Sequence, residues 1–222
     1  MHDALKTFLV VVSALGPIVD PLSSSAIFLA LTRRFLPATR KELTWRVTLN
    51  SFLLMVASYF LGSHVLKFFG VSLPALQVGG GLVVVAFGWT LLMDKDGHRH
   101  DTAEAAPSQD ILHRAFYPLT LPLTIGPGVI SVAITVGAHT SHNYGVHVSI
   151  ILAALLAIGV VAASIFLCYR FAAWLCQLLG ETGTTIVIRL SSFLLVCIGV
   201  QIIWNGVESL LESIHFQASS GK

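Results

Sequence analysis

The chain is a series of long apolar blocks separated by short polar connections. A helix needs about 20 apolar residues to cross a hydrocarbon core of ~30 Å. By this measure the pattern predicts six membrane-spanning helices, at residues 5–31, 44–66, 73–93, 116–138, 146–174 and 186–211. The predicted fold class is therefore all-α, a polytopic membrane protein with six transmembrane helices.

Prolines interrupt the first and fourth blocks. The first contains GPIVDPLSSS (Gly16–Ser25), and the fourth contains PLTLPLTIGPG (Pro118–Gly128). A proline lacks the backbone donor and clashes with the preceding turn, so we expect both helices to be broken. Open backbone at membrane depth must be buried in protein or line a cavity. Paired broken helices in two halves of a chain are typical of a transporter's binding site.

The two halves follow one plan: a broken span, an unbroken span, a tight turn, and a span rich in Gly or Ser. We interpret residues 1–93 and 116–222 as two inverted three-helix repeats, joined by a cytoplasmic linker at 94–115. When the sequences of the two halves are aligned with Gly88 matched to Gly199, Gly80–Gly81 occupy the positions equivalent to Ser191–Ser192. Such small residues favour close helix packing, and a role in lining a substrate path stays open.

Charge predicts the orientation. If the N-terminus lies outside, ten of the 13 Lys and Arg residues fall on the cytoplasmic side. The positive-inside rule then predicts a multi-pass protein of the inner (plasma) membrane with both termini outside.

Composition excludes several other classes. The chain is 55% hydrophobic and only 11% charged, with a mean hydropathy of +0.82, whereas soluble domains average roughly 25% charged residues. The sequence contains no run of basic residues interleaved with aromatic residues, which is the pattern that would predict nucleic-acid binding. We expect the three cysteines to be packing residues and the histidines of the connecting loops to be solvated. The loop histidines are His98, His100, His113, His139, His142 and His147. We therefore predict no metal site and no cofactor.

The breaks offer complementary chemistry. A half-helix that starts after a break presents free N–H groups to an anion, and one that stops before it presents carbonyls to a cation. A zwitterion such as an amino acid needs both the free N–H groups and the free carbonyls within a few ångströms. Asp20 is the acidic residue near the middle of a span, where a charge costs about 2.5–3.5 kcal/mol. It could bind a substrate ammonium, carry a coupling proton or cap the restarting helix, while Ser23 is a further N-cap candidate and Gly128 could admit a ligand to the backbone.

Four segments resemble the MarC family: DPLSSSAIFLALT (20–32), GVSLPALQVGGGL (70–82), YPLTLPLTIGPGVIS (117–131) and RLSSFLLVCIGVQIIWNGV (189–207). The resemblance implies a six-span bacterial or archaeal membrane protein that transports small neutral amino acids such as glycine or alanine, driven by a proton or sodium gradient. The matching positions are Asp20, Pro21, Pro122, Gly126, Pro127 and Gly128. The family pattern Asp-Pro-x-Gly-Asn-x-Pro is replaced after Leu22 by Ser23-Ser24-Ser25-Ala26.

We therefore predict a secondary transporter that works by alternating access around a midplane site, with Gly128→Leu abolishing transport but not folding. Its expected partners are a small zwitterionic substrate, a coupling proton or sodium ion and the lipid bilayer, and a homo-oligomer is left open. Export of another small metabolite and an ion carrier remain alternatives. An enzyme is not expected, because aspartyl proteolysis needs two carboxylates and only Asp20 is available. The predicted substrate-binding residues are Asp20, Pro21, Ser23, Ser24, Ser25, Thr124, Gly126, Pro127 and Gly128.

Overall fold

The computed structural model describes residues 2–32, 35–93, 115–144 and 147–220. This part of the chain forms eight helical elements. They are α1 (His2–Val19), α2 (Pro21–Leu31), α3 (Pro37–Phe68), α4 (Leu73–Met93), α5 (Ala115–Thr124, with π-helical spacing), α6 (Pro127–Tyr144), α7 (Val148–Arg170) and α8 (Ala172–Ser220). The predicted linker lies outside the described residues except for Ala115, which begins α5.

Five stretches of the described helices are long and apolar enough to cross a membrane: Asp3–Leu29, Pro37–Phe68, Leu73–Met93, Val148–Arg170 and Thr182–Glu212. The chain is thus a polytopic helical membrane protein. The predicted fourth span is divided between α5 and α6, and its longest apolar helix, Pro127–Thr140, is shorter than the five. The second span begins earlier than predicted, at Pro37, because proline fits the first turn of a helix.

Helices α4 and α8 pack against each other along a line of small residues. A Cβ atom on Gly81 would lie 2.8 Å from the Gly199 carbonyl oxygen, and one on Gly88 would lie 2.9 Å from that of Ser192. Since the α8 number falls as the α4 number rises, the two helices run antiparallel. The predicted close packing of small residues is confirmed for Gly81 and Ser192, whereas Gly80 meets Ser131 of α6 and Gly79 has no atom within 4 Å of an added Cβ. Such contacts matter because lipid tails are as apolar as the side chains and supply no hydrophobic drive for helix association.

The interior of the protein is formed by α1, α3, α6 and α7. The ring of Tyr169 on α7 stacks on Phe28 of α2 with centroids 4.5 Å apart. Helix α6 lies so close to α3 that a Cβ on Gly137 would meet the Tyr59 backbone. At the end of α2, the Thr32 carbonyl accepts a hydrogen bond of 3.0 Å from the Arg40 guanidinium, which suits the negative end of a helix.

Candidate functional site

The first break is centred on Asp20. Helix α1 ends at Val19, Asp20 has a positive φ of 40°, and α2 begins at Pro21. The Ser24 N–H donates to the Asp20 carbonyl at 3.1 Å, and the Ser23 N–H donates to Asp20 Oδ1 over a long 3.4 Å. Asp20 is therefore the N-cap of α2. Of the two N-cap candidates, Ser23 is not the cap, because it lies within the first turn and its own N–H is one of the groups that Asp20 caps.

The second break is set by its prolines. Tyr117 and Leu121 have extended backbones, with ψ angles of 126° and 129°, and each precedes a proline. The proline ring clashes with the preceding residue in the helical region and forces this conformation. Two threonine hydroxyls donate to backbone carbonyls in this segment: Thr120 Oγ1 donates to the Ala115 carbonyl and Thr124 Oγ1 to the Leu119 carbonyl, both at 2.7 Å.

Tyr169 joins the two breaks from α7. Its hydroxyl, on a residue only 1% exposed, forms a 2.7 Å hydrogen bond with Thr124 Oγ1 and also interacts with the Ser24 hydroxyl. Sequence reasoning missed this residue. The available signal was a tyrosine inside an apolar block, since a buried tyrosine hydroxyl requires a partner.

A cavity of about 220 Å³ lies between the breaks, enough for several waters or a small organic molecule. Most predicted site residues line it: Asp20, Ser23, Ser24, Thr124, Gly126, Pro127 and Gly128. Pro21 and Ser25 do not. Ser25 instead donates to the Leu22 carbonyl at 2.6 Å and faces a much smaller cavity beside α8, of about 10 Å³.

The two sides of the cavity differ in electrostatic character. Asp20 Oδ2 and Ser23 Oγ are buried and form no hydrogen bond within the described part of the chain. A buried polar atom without a partner costs about 1–3 kcal/mol, so these two oxygens are poised to accept or share a proton from a ligand. Asp20 and Ser23 are among the residues that line the cavity, together with the start of α6.

Helix α6 presents its N-terminus to the same cavity. Gly126, Pro127 and Gly128 line the cavity, and none of the three has a side chain that can cap a helix. The N–H groups of Gly128 and Val129 belong to the first turn and have no intrahelical acceptor, so this helix end favours an anion. In contrast, the positive end of α2 is already occupied by Asp20.

Gly128 also sets the distance between α6 and α4. A Cβ on Gly128 would overlap the side chain of Val84, and one on Gly80 would overlap Ser131. Ser131 Oγ in turn donates to the Leu76 carbonyl at 3.2 Å. Gly128→Leu is thus expected to disturb helix packing as well as ligand access, contrary to the prediction from sequence that folding is unaffected.

Metal-binding side chains do not cluster in the described ranges: there, no group of three or more His, Cys, Asp or Glu residues lies together. His139 and His147 are exposed, and the side chains of the other four loop histidines fall outside what the structure describes. Cys168 packs against the core and Cys197 is exposed on α8, both as free thiols.

The chain is similar to known membrane proteins over nearly its whole length. The model of a family described as MarC family integral membrane protein matches residues 5–211. Proteins described as UPF0056 inner membrane protein MarC, from Salmonella typhimurium and Escherichia coli, are each 31% identical to it over 97% of this chain and 100% of their own length. No solved structure gives a significant match.

Proposed function

Because the chain belongs to the MarC family of integral membrane proteins, we propose that it is a secondary transporter of small neutral amino acids of the glycine and alanine class. We place it in the inner membrane, as its relatives are named inner membrane proteins. The observation that carries the proposal is the cavity between the two breaks, which is lined both by Asp20, whose Oδ2 has no partner in the described part of the chain, and by the first residues of α6.

The bound amino acid lies across this cavity. Its ammonium group donates to Asp20 Oδ2 and Ser23 Oγ, the two oxygens that lack partners. Its carboxylate accepts from the N–H groups at the start of α6, where the helix dipole adds a positive potential. Asp20 Oδ1 stays engaged with the N–H of Ser23, so the carboxylate is held in place before the substrate arrives.

An inverted repeat accounts for the architecture. Gly70 precedes α4, Gly180 precedes the spanning part of α8, and both have a φ of 66°. The second span of each half packs on the broken span of the other half: α3 packs on α6, and α7 packs on α1 and α2. The third spans, α4 and α8, pack on each other. The alignment that matches Gly88 with Gly199 also matches Gly81 with Ser192. Exchanging the two halves therefore turns the contact Gly81–Gly199 into the contact Gly88–Ser192, as a repeat requires. The repeats are residues 1–93 and 116–222, and both termini lie outside.

Alternating access then follows from one repeat rocking against the other around the breaks. A proton or sodium gradient drives the cycle, and no covalent chemistry is involved, so the protein is not an enzyme. The direction of transport depends on the gradients, and export by the same cycle is the second candidate.

The proposal is tested by uptake of labelled glycine and alanine into proteoliposomes under imposed proton or sodium gradients. Asp20→Asn retains a good N-cap but removes the charge, so we expect normal folding and at least tenfold slower uptake. Asp3→Asn, which changes an exposed carboxylate at the start of α1, is the matched control and should transport normally. Uptake that is absent from folded wild-type protein, or unchanged in Asp20→Asn, would contradict the proposal.

A further inference from the structure

The cavity has two chemically different walls. The breaks supply its polar side chains, which are Asp20, Ser23, Ser24 and Thr124. A second wall comes from α4, with Leu195 of α8 beside it, and is entirely apolar. The breaks add further apolar side chains, which are Ile18, Val19, Ile27, Leu123 and Val129. The α4 residues on this wall are Val83, Val84, Phe87 and Leu91.

The apolar wall is long compared with a methyl group. Val83 and Leu91 are eight positions apart, which is about 12 Å along a helix that rises 1.5 Å per residue. Val83, Val84, Phe87 and Leu91 all line the cavity, so it offers apolar surface along this length of α4. A glycine bound at the breaks would leave it bare, and an alanine would cover it with a single carbon.

We infer that the substrate site prefers neutral amino acids with aliphatic side chains, of the valine and leucine class, over glycine and alanine. The inference rests on the proposed function: glycine and alanine remain substrates, and the larger aliphatic amino acids bind the same site more tightly. The ammonium and carboxylate groups occupy the break wall, and the side chain lies against Val83 and Phe87. Burial of added methylene groups in an apolar pocket then increases affinity at each step from alanine to leucine.

A phospholipid tail is a poorer occupant of the same wall. The facing wall holds a carboxylate and an unpartnered hydroxyl in close reach, and an acyl chain would leave both buried without partners. An amino acid satisfies both walls at once, because its charged groups and its side chain branch from one carbon atom.

The test is titration calorimetry of the purified protein with glycine, alanine, valine and leucine. We expect leucine to bind at least about tenfold more tightly than alanine. Val83→Phe fills the apolar side of the cavity and should reduce this ratio to near one. Leu82→Phe is the matched control, because Leu82 is 57% exposed on the same helix and does not line the cavity, and it should leave the ratio unchanged.

The outcomes separate the two proposals. Glycine or alanine binding as tightly as leucine would overturn this inference and leave the transporter proposal standing. A Val83→Phe protein that keeps the wild-type ratio would overturn the assignment of the apolar wall. If none of the four amino acids binds to folded protein, the proposed function itself fails, and this inference fails with it.

Discussion

Asp20 combines an unfavourable backbone conformation with two separate uses of its carboxylate. A φ of 40° lies in the left-handed region, which non-glycine residues rarely occupy and which costs about 1–3 kcal/mol. Aspartate tolerates this region better than most residues and is among the strongest N-caps. A glycine would relieve the backbone but lose the cap, and an asparagine would keep the cap but lose the charge. The remaining oxygen, Oδ2, is buried without a partner in the described part of the chain, and the proposed function assigns it to the substrate.

The contact between Gly128 and Val84 gives a prediction at this scale. Gly128→Ala places a methyl group against the Val84 side chain and should lower the free energy of unfolding by about 1–3 kcal/mol. Val84→Ala in the same chain removes the overlap and should recover most of that loss. The check is a double-mutant cycle on stability in detergent, measured by reversible unfolding. Strictly additive effects of the two substitutions would show that the side chains do not meet.

The helices themselves were largely predictable, because their cause is local. Pro118 and Pro122 fix the extended residues before them, and the apolar runs fix the spans. The π-helical spacing of α5 was not predictable, since it depends on which carbonyls Thr120 and Thr124 reach after the chain has bent. The same limit applies to Ser25. Sequence places it beside Ser23 and Ser24, but the helical rotation of α2 turns it toward α8 and out of the cavity.

The packing of α4 on α8 gives a prediction at the scale of elements. Gly81 and Gly79 are two positions apart on α4, but only a Cβ on Gly81 meets other atoms, whereas Gly79 has nothing within 4 Å. Gly81→Ala should therefore destabilise the protein by about 1–3 kcal/mol. Gly79→Ala should be neutral or stabilising by up to about 1 kcal/mol, because alanine favours helix. Melting temperatures of the two variants in one detergent compare them directly, and equal losses would contradict the assigned packing face.

At the scale of the whole molecule, the site exists only where the halves meet. Asp20 and Ser23 belong to the first half, and Thr124, Gly126 and Gly128 belong to the second. Sequence could predict both sets from their prolines, and it could predict that they face each other from the repeat. It could mark Tyr169 as a tyrosine inside an apolar block, but not its partner Thr124, which lies 45 positions away and is reached only through the packing of α7.

The proposed inverted repeat predicts how the connections alternate across the membrane. In a variant without its own cysteines, single cysteines at Val71 and His147 should react with an impermeant maleimide in intact cells. A cysteine at Leu36, which is 73% exposed before α3, should react only after the cells are permeabilised. Labelling of positions 36 and 71 from one side would contradict the predicted crossing of α3.

The central claim is that the cavity between the breaks carries a substrate across the membrane. It is tested most directly by counterflow, because this assay requires no knowledge of the coupling ion. Proteoliposomes are loaded with unlabelled alanine and diluted into a trace of labelled alanine. We predict a transient accumulation of label that is lost in Asp20→Asn and retained in Asp3→Asn. Label that never exceeds the level in protein-free liposomes, or that accumulates equally in Asp20→Asn, would contradict the account.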